Sequence, residues 1–330
     1  MNPHSARANQ RGLGLIELMV ALLLGLFVAG SAIAIFATNR QTYAATESLG
    51  RLQENGRLAY EMMARDLREA GGTPCDPRTK PVANVTTGGA WWQTWGAGVV
   101  GYHYGDTGLP ADMKSGTDAV VLLESDDTPI SVVSHDNSSH TFVLNAAPTA
   151  FKPLDLVVAC DYRQSSIFQI NAVVAGSSPP YKITYAKTGL NCSTDLSWYP
   201  FGDICTSTKP GIQYNNDAMV GRLRSVEWYV NTSNQLIQTQ LGSDGTTSSA
   251  TKQAIADGVT NMTLTYLVSG ANDYVSSSSV GSNWSTVDAV RVALTLQGQD
   301  NGQGQARAST SSSAFTRTVS HVVSLRNHLQ

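Results

Sequence analysis

Charge is scarce in this chain. Lys and Arg number 22 and Asp and Glu 25 among 330 residues, so 14% are charged, little for a soluble cytosolic protein. The formal charge of −3 leaves no basic excess, which excludes a nucleic-acid surface built on Lys and Arg. Catalytic signatures are missing too: there is no Gly-x-Ser-x-Gly elbow, no phosphate-binding loop and no His-Glu-x-x-His. Cysteine is limited to Cys75, Cys160, Cys192 and Cys205, none spaced as Cys-x-x-Cys, and no histidine pair stands at zinc spacing. Two disulfides are a better reading of them than a metal or redox site. His135 and His140 flank Asp136 in a polar stretch that reads as a turn, and Glu124, Asp126 and Asp127 lack the Gly-containing spacing of a calcium loop, so they read as a solvated turn. No cofactor, no metal and no catalysis are implied.

What the chain does have is one long apolar run. Leu18 to Asn39 is about 22 residues without a formal charge, enough to cross a ~30 Å hydrocarbon core at 1.5 Å per residue. A single carboxylate, Glu17, stands at its head. An acid there costs roughly 2.5–3.5 kcal/mol on insertion scales, which makes it a functional candidate unless it merely snorkels to water. A short polar leader precedes it, with Arg7, Arg11 and Gly12.

This Gly12, Leu13 and Glu17 pattern resembles the class III signal of type IV prepilins and type II secretion pseudopilins. The resemblance implies cleavage between Gly12 and Leu13 by a prepilin peptidase, N-methylation of Leu13, and a Glu17 carboxylate that pairs with a neighbouring subunit's N-terminal amine. The usual Phe-Thr-Leu-Ile-Glu reads here Leu13-Gly14-Leu15-Ile16-Glu17, and Gly14 loosens the first turn. A conventional secretory signal would lose its apolar region on cleavage, whereas here the helix is retained. Arg7 and Arg11 favour an N-in orientation, so residues beyond about Arg40 are expected in the periplasm, an oxidising compartment that suits the disulfides. Removing the two arginines takes the formal charge from −3 to −5.

Beyond Arg40 the helix continues as an amphipathic one. Leu49, Leu52, Gly56, Ala59, Met63, Leu67 and Ala70 recur at three- and four-residue spacing, while Arg57, Glu61, Arg65 and Glu69 form a charged ladder on another face. Gly71-Gly72 and Pro74 end it. Strand-like segments then begin near Asp118, Leu154, Ser166, Tyr181, Val220, Gln235, Asn261, Val287 and Phe315, separated by Gly, Asn, Asp and Ser clusters. Lys252 to Asp257 reads as a short turn, and Val275 to Ser285 and Asp300 to Ser313 as loops with little to bury.

The expected fold is α+β and type IV pilin-like: a long N-terminal helix, transmembrane in its lower half, packed on a large, mainly antiparallel β head. Its parts are a leader (1–12), a transmembrane half-helix (13–39), a periplasmic amphipathic half (40–71) and a periplasmic head (72–330). Four cysteines allow three connectivities; Cys192–Cys205 would close a local loop and Cys75–Cys160 would tie the helix exit to the sheet. Trp91, Trp92 and Trp95 either fill the core between helix and sheet or, if exposed, form an interface.

The runs Leu223–Val230, Ala256–Met262, Val287–Leu294 and Val323–Asn327, in that order, look like the PilW minor-pilin family of type IVa pili, itself similar to the minor pseudopilin GspJ of type II secretion. Membership would imply a tip or priming complex with other minor pilins, the major pilin and a PilY-type tip adhesin. The protein would sit in the inner membrane before assembly and in the pilus after it.

Overall fold

The structure is a computed structural model, and it describes residues 14–75, 81–87, 98–126, 128–174, 179–198, 204–206, 211–243, 248–298 and 316–327. Helix α1 runs from Leu15 to Glu69. The strands are β1 (Val82–Asn84), β2 (Val99–His103), β3 (Asp118–Ser125), β4 (Ile130–Asp136), β5 (Thr141–Leu144), β6 (Leu156–Cys160), β7 (Ser165–Gln169), β8 (Ala172–Val174), β9 (Tyr181–Thr184), β10 (Met219–Val230), β11 (Gln235–Ser243), β12 (Ser248–Asp257), β13 (Val259–Val268), β14 (Val287–Gln297) and β15 (Thr316–Ser324). A short helix, α2 (Ser277–Val280), lies between β13 and β14. The chain divides into two compact units, Met1–Arg51 with Gly298–Phe315, and Leu52–Gln297 with Thr316–Gln330.

In the first unit α1 is largely apolar from Leu18 to Thr38 and carries Arg40, Glu47 and Arg51 beyond it. Four of its hydroxyls bond within the helix: Ser31 donates to the Phe27 carbonyl, and Thr38, Thr42 and Thr46 each to the carbonyl four residues back, at 2.9–3.0 Å. This back-bonding lets polar side chains enter an apolar run without an unpaired donor. Among the described residues α1 is the one helix long and apolar enough to cross a membrane.

The second unit holds two sheets. β1 to β12 form a 12-stranded sheet and β13, β14 and β15 a three-stranded one. Every described pairing is antiparallel except that of β1 with β7. β10 is the strand that joins the large sheet. Its first part, Met219 to Arg222, pairs with β6, and its second, Leu223 to Trp228, with β3, while Val226 to Val230 also pair with β11.

Side chains alternate across β10, and that alternation sets the core. Val226, Trp228 and Val230 meet Leu52, Ala59, Met63, Leu67 and Ala70 of α1 together with Leu264, Val290 and Leu294 of the small sheet. Each fully buried Leu, Met or Val there stabilises by roughly 1.5–3 kcal/mol. Gly56 keeps the helix close: an added Cβ would lie 3.3 Å from Leu296. Burial of the stripe starts at Leu52, and Leu49 is exposed. Described ion pairs on the outer face of α1 are Arg51 with Glu47, Arg57 with Glu61 and Arg65 with Glu69, all at i,i+4 spacing.

Three local expectations are corrected. Lys252 to Asp257 belongs to strand β12, because pairing with β11 supplies the partners a turn would forgo. Val275 to Ser285 is not a loose loop: Val275 bridges Tyr266, Val280 is buried, and Trp284 sits edge-on to the Tyr266 ring at 4.9 Å. His135 is not in a turn but buried on β4, stacked 3.9 Å from Phe142. Its Nδ1 accepts the Tyr214 N–H at 3.3 Å and its Nε2 lies 2.9 Å from the Tyr185 hydroxyl. Asp300 to Ser313 lies outside the described residues.

Two buried groups give the second unit a pH dependence. Burial raises Glu227 from 4.5 to about 7, against the partial relief of the Lys252 ammonium, and burial lowers His135 from 6.5 to about 4. Glu227 therefore contributes stability below its unfolded value that is lost as pH rises through about 7, whereas His135 contributes stability above 6.5 that is lost as pH falls towards 4. Glu227→Gln should raise the unfolding free energy read from urea titration above pH 7 by an amount on the order of a few kcal/mol, and leave it nearly unchanged at pH 4.5. The buried hydroxyl of Tyr266 has no partner and abuts Gly101. Tyr266→Phe should leave the midpoint unchanged or raise it, since no hydrogen bond is lost.

Candidate functional site: the two ends of the long helix

At its N-terminal end, α1 begins with one acid in its first turn. Glu17 is exposed and its Oε2 accepts the Gly14 N–H at 3.2 Å, while the Gly14 carbonyl accepts the N–H groups of Glu17 and Leu18. The carboxylate thus satisfies one of the amides that a helix start leaves unpaired, where the helix dipole also favours negative charge. Gly12 and Leu13 lie outside the described residues.

The C-terminal end is far more elaborate. Asp66 falls on the buried stripe, between Met63 and Leu67, where a charge demands partners. It has three. Arg224 Nη2 donates to Oδ1 at 3.0 Å, and Trp228 Nε1 and Gln238 Nε2 both donate to Oδ2, at 2.9 and 2.7 Å. Trp228 and Gln238 are register partners on β10 and β11, so both reach the same carboxylate from one face of the sheet. The other guanidinium nitrogen of Arg224 pairs with Glu124 on β3. One arginine therefore links the helix to two neighbouring strands.

Immediately beyond, the backbone is held on every side. Gly71 adopts φ 79°, the left-handed conformation that closes a helix. Its N–H donates to the Leu123 carbonyl at 2.8 Å, and the Gly72 carbonyl accepts the Ser125 N–H at 3.0 Å. Asn327, near the other end of the chain, donates its side-chain amide to the carbonyls of Glu69 and Ala70, both at 3.0 Å. Pro74 then crosses β10 at Gly221, where an added Cβ would come within 2.8 Å of the ring. Cys75 ends the path in a disulfide to Cys160 on β6, with Cα atoms 5.9 Å apart. A second disulfide joins Cys192 to Cys205.

Of the other residues that sequence singled out, Trp91, Trp92 and Trp95 lie outside the described residues, as does Asp127. Glu124 and Asp126 part company: Glu124 is buried beside the helix, not in a solvated turn, and Asp126 Oδ2 accepts from Arg222 at 2.8 Å. Glu124 belongs to β3, whereas Asp126 lies just past the end of that strand, and the two carboxylates take different arginines. Sequence reading passed over Asp66, Arg224, Trp228, Gln238 and Asn327. The available signal was Asp66, the one acid in step with the apolar stripe.

Removing that carboxylate leaves a buried guanidinium, an indole N–H and an amide unpaired. Asp66→Ala should lower the unfolding free energy by about 3–5 kcal/mol, measured by chemical denaturation, whereas Arg57→Ala on the exposed face should leave it nearly unchanged.

Comparison with known proteins now bears on this arrangement. Residues 225–327 match the family described as Type IV Pilus-assembly protein W, a stretch that runs from the second part of β10 to Asn327. Residues 7–33 match the prokaryotic N-terminal methylation motif, which spans Gly12, Leu13 and Glu17. No curated protein matches the chain. Among solved structures, the Type IV-like pilin TTHA1219 from Thermus thermophilus is 11% identical, with 85% of this chain and 98% of that chain covered at a TM-score of 0.35. The first of these families is described by pilus assembly, a structural rather than a catalytic business. Residues 225–327 thus resemble the Type IV Pilus-assembly protein W family, and they stand behind a segment that matches the prokaryotic N-terminal methylation motif.

Proposed function

We propose that the protein is a minor pilin that takes part in a tip or priming complex and starts assembly of the major pilin. The observation that carries this reading is the order of the chain's parts: a match to a methylation motif, an apolar helix, then a segment that matches the PilW family. Prepilin peptidase removes residues 1–12 and methylates Leu13. Residues 13–39 hold the precursor in the inner membrane, 40–71 form the amphipathic half of the helix, and 72–330 stand in the periplasm as the head. Other minor pilins and a PilY-type tip adhesin complete the complex.

Glu17 is the assembly residue. A carboxylate drawn into lipid or into a bundle of apolar helices is desolvated, and an N-terminal amine on the adjacent subunit is the countercharge it needs. Pairing of the two sets the axial register of each incoming subunit. The Gly14 amide that Glu17 accepts in the isolated chain is a weaker partner, because it carries no net charge.

Two variants separate processing from assembly. Glu17→Ala should still be cleaved but should lose most of its incorporation into sheared filaments, as read by immunoblot of filament and membrane fractions. Normal piliation with normal recovery of minor pilins would remove Glu17 from the mechanism. Gly12→Ala should instead accumulate at precursor length, and a mature-length product from it would move the cleavage site.

A further inference from the structure

We propose that the outer edge of β15 takes up an extended segment of a different subunit of the filament, which joins the three-stranded sheet as a fourth strand. The inference names a contact for the minor-pilin reading and rests on it. Register shows what this edge offers. The Leu325 N–H donates to the carbonyl of Asp288, its opposite number, at 2.9 Å, so the β15 residues in step with it, Arg317, Val319, His321 and Val323, turn their N–H and C=O groups to β14. Thr316, Thr318, Ser320, Val322 and Ser324 turn theirs outward, and among the described residues nothing bonds to those backbone groups.

The other edges are blunted, as free edges in native sheets usually are. On β13, at the far side of the same sheet, Asp118 accepts the Leu264 N–H at 2.7 Å and Lys114 donates to the Thr260 carbonyl at 2.7 Å. Tyr266 exchanges two backbone bonds with Val275, at 2.8 and 2.9 Å. In the large sheet β12 carries Lys252 and a bulge opposite Leu236 and Ile237, β1 and β8 are three residues long, and β2 is five. β15 has nine residues, no proline, and Val322 48% exposed in its second half. Its one fixed charge is Arg317, near the start.

Geometry and charge select the occupant. Two copies pairing β15 with β15 in antiparallel fashion would be related by a twofold axis perpendicular to the sheet. The helix α1, packed on that sheet through Leu294 and Leu296, would then run in opposite directions in the two copies. Chains anchored in one membrane by that helix cannot meet in this way. A different subunit is within reach, because the edge runs beside the helix: the Tyr60 and His321 rings lie 4.0 Å apart, and a Cβ added to Gly56 would lie 3.9 Å from Val319. A neighbour that packs on α1 therefore brings its own surface to β15. Arg317 is exposed and has no ion pair among the described residues, so the segment that fits carries a carboxylate opposite it and small or β-branched residues along Thr318 to Val322. Backbone bonds would supply the affinity, and the Arg317 pair the register.

Three variants of the full-length chain, expressed in cells, test the edge. Ser320→Pro removes one outward N–H and no bond to β14, a place where edge strands accept proline, whereas Ser320→Ala keeps that N–H. Val322→Lys adds the charge that the middle of the edge lacks. Ser320→Pro and Val322→Lys should keep the wild-type unfolding temperature and processing, yet fall about tenfold or more in recovery from sheared filaments, with Ser320→Ala at the wild-type level. Should Ser320→Pro fail to fold, Val322→Lys decides. The photo-crosslinker p-benzoylphenylalanine in place of Val322 should join the chain to an acid-bearing segment of another pilin-like subunit, identified by mass spectrometry, and Ser320→Pro should abolish that crosslink. Wild-type recovery of Val322→Lys in filaments, or a crosslink to a second copy of this chain, would overturn the proposal. A wild-type chain absent from filaments would overturn the minor-pilin reading beneath it, which keeps the two failures apart.

Discussion

Asp66 is a carboxylate on the buried face of a helix, and its three donors fix how that helix meets the sheet. Hydrophobic packing alone would let α1 slide or turn over a surface of valines and leucines, because apolar contact is not directional. Donors from Arg224, Trp228 and Gln238 give the contact a single setting. Desolvation makes the arrangement unforgiving: with all partners present the charge is accommodated, and with one missing it is not. Helix, β10, β11 and, through Arg224, β3 thereby depend on one another.

The helix exit extends the same principle along the backbone. Gly71 and Gly72 are taken up by β3, Asn327 closes the last carbonyls of the helix, and Cys75 is joined to β6 across 85 residues of sequence. A loop of that size loses about 4–5 kcal/mol of unfolded-chain entropy in the usual model of a crosslink. Early, middle and late segments of the chain thus converge within a few residues of the point where the helix ends. Strand β10 makes this possible, since its first part belongs with β6 and its second with β3.

Much of this was legible in the sequence. Apolar spacing from Leu52 to Ala70, the Gly71-Gly72 stop and the β-branched runs follow from short-range geometry, and the helix and most strands fall where those patterns place them. Lys252 to Asp257 did not, because its neighbour β11 decides its conformation and no local pattern reports a neighbour. His135 was read as polar for the same reason: its partners Phe142, Tyr185 and Tyr214 come from three distant segments. Glu124 and Asp126 look alike in sequence, yet β3 buries the first and ends before the second, which pairs with Arg222. Asp66 could have been flagged as a charge on an apolar stripe, but Arg224, Trp228 and Gln238 as its partners rest on register, which becomes visible only in the folded sheet.

The reading of function rests on the two ends of one helix: an N-terminal motif built for processing, and an exit that joins it firmly to a PilW-family domain. The most direct measurement is mass spectrometry of the protein recovered from sheared surface filaments and from inner membrane, with its N-terminus and its co-purifying proteins identified. An N-methylated Leu13 terminus in filaments, alongside minor pilins and a tip adhesin, is the predicted result. An intact Met1 terminus, or a processed form found only with secretion pseudopilins, would contradict it.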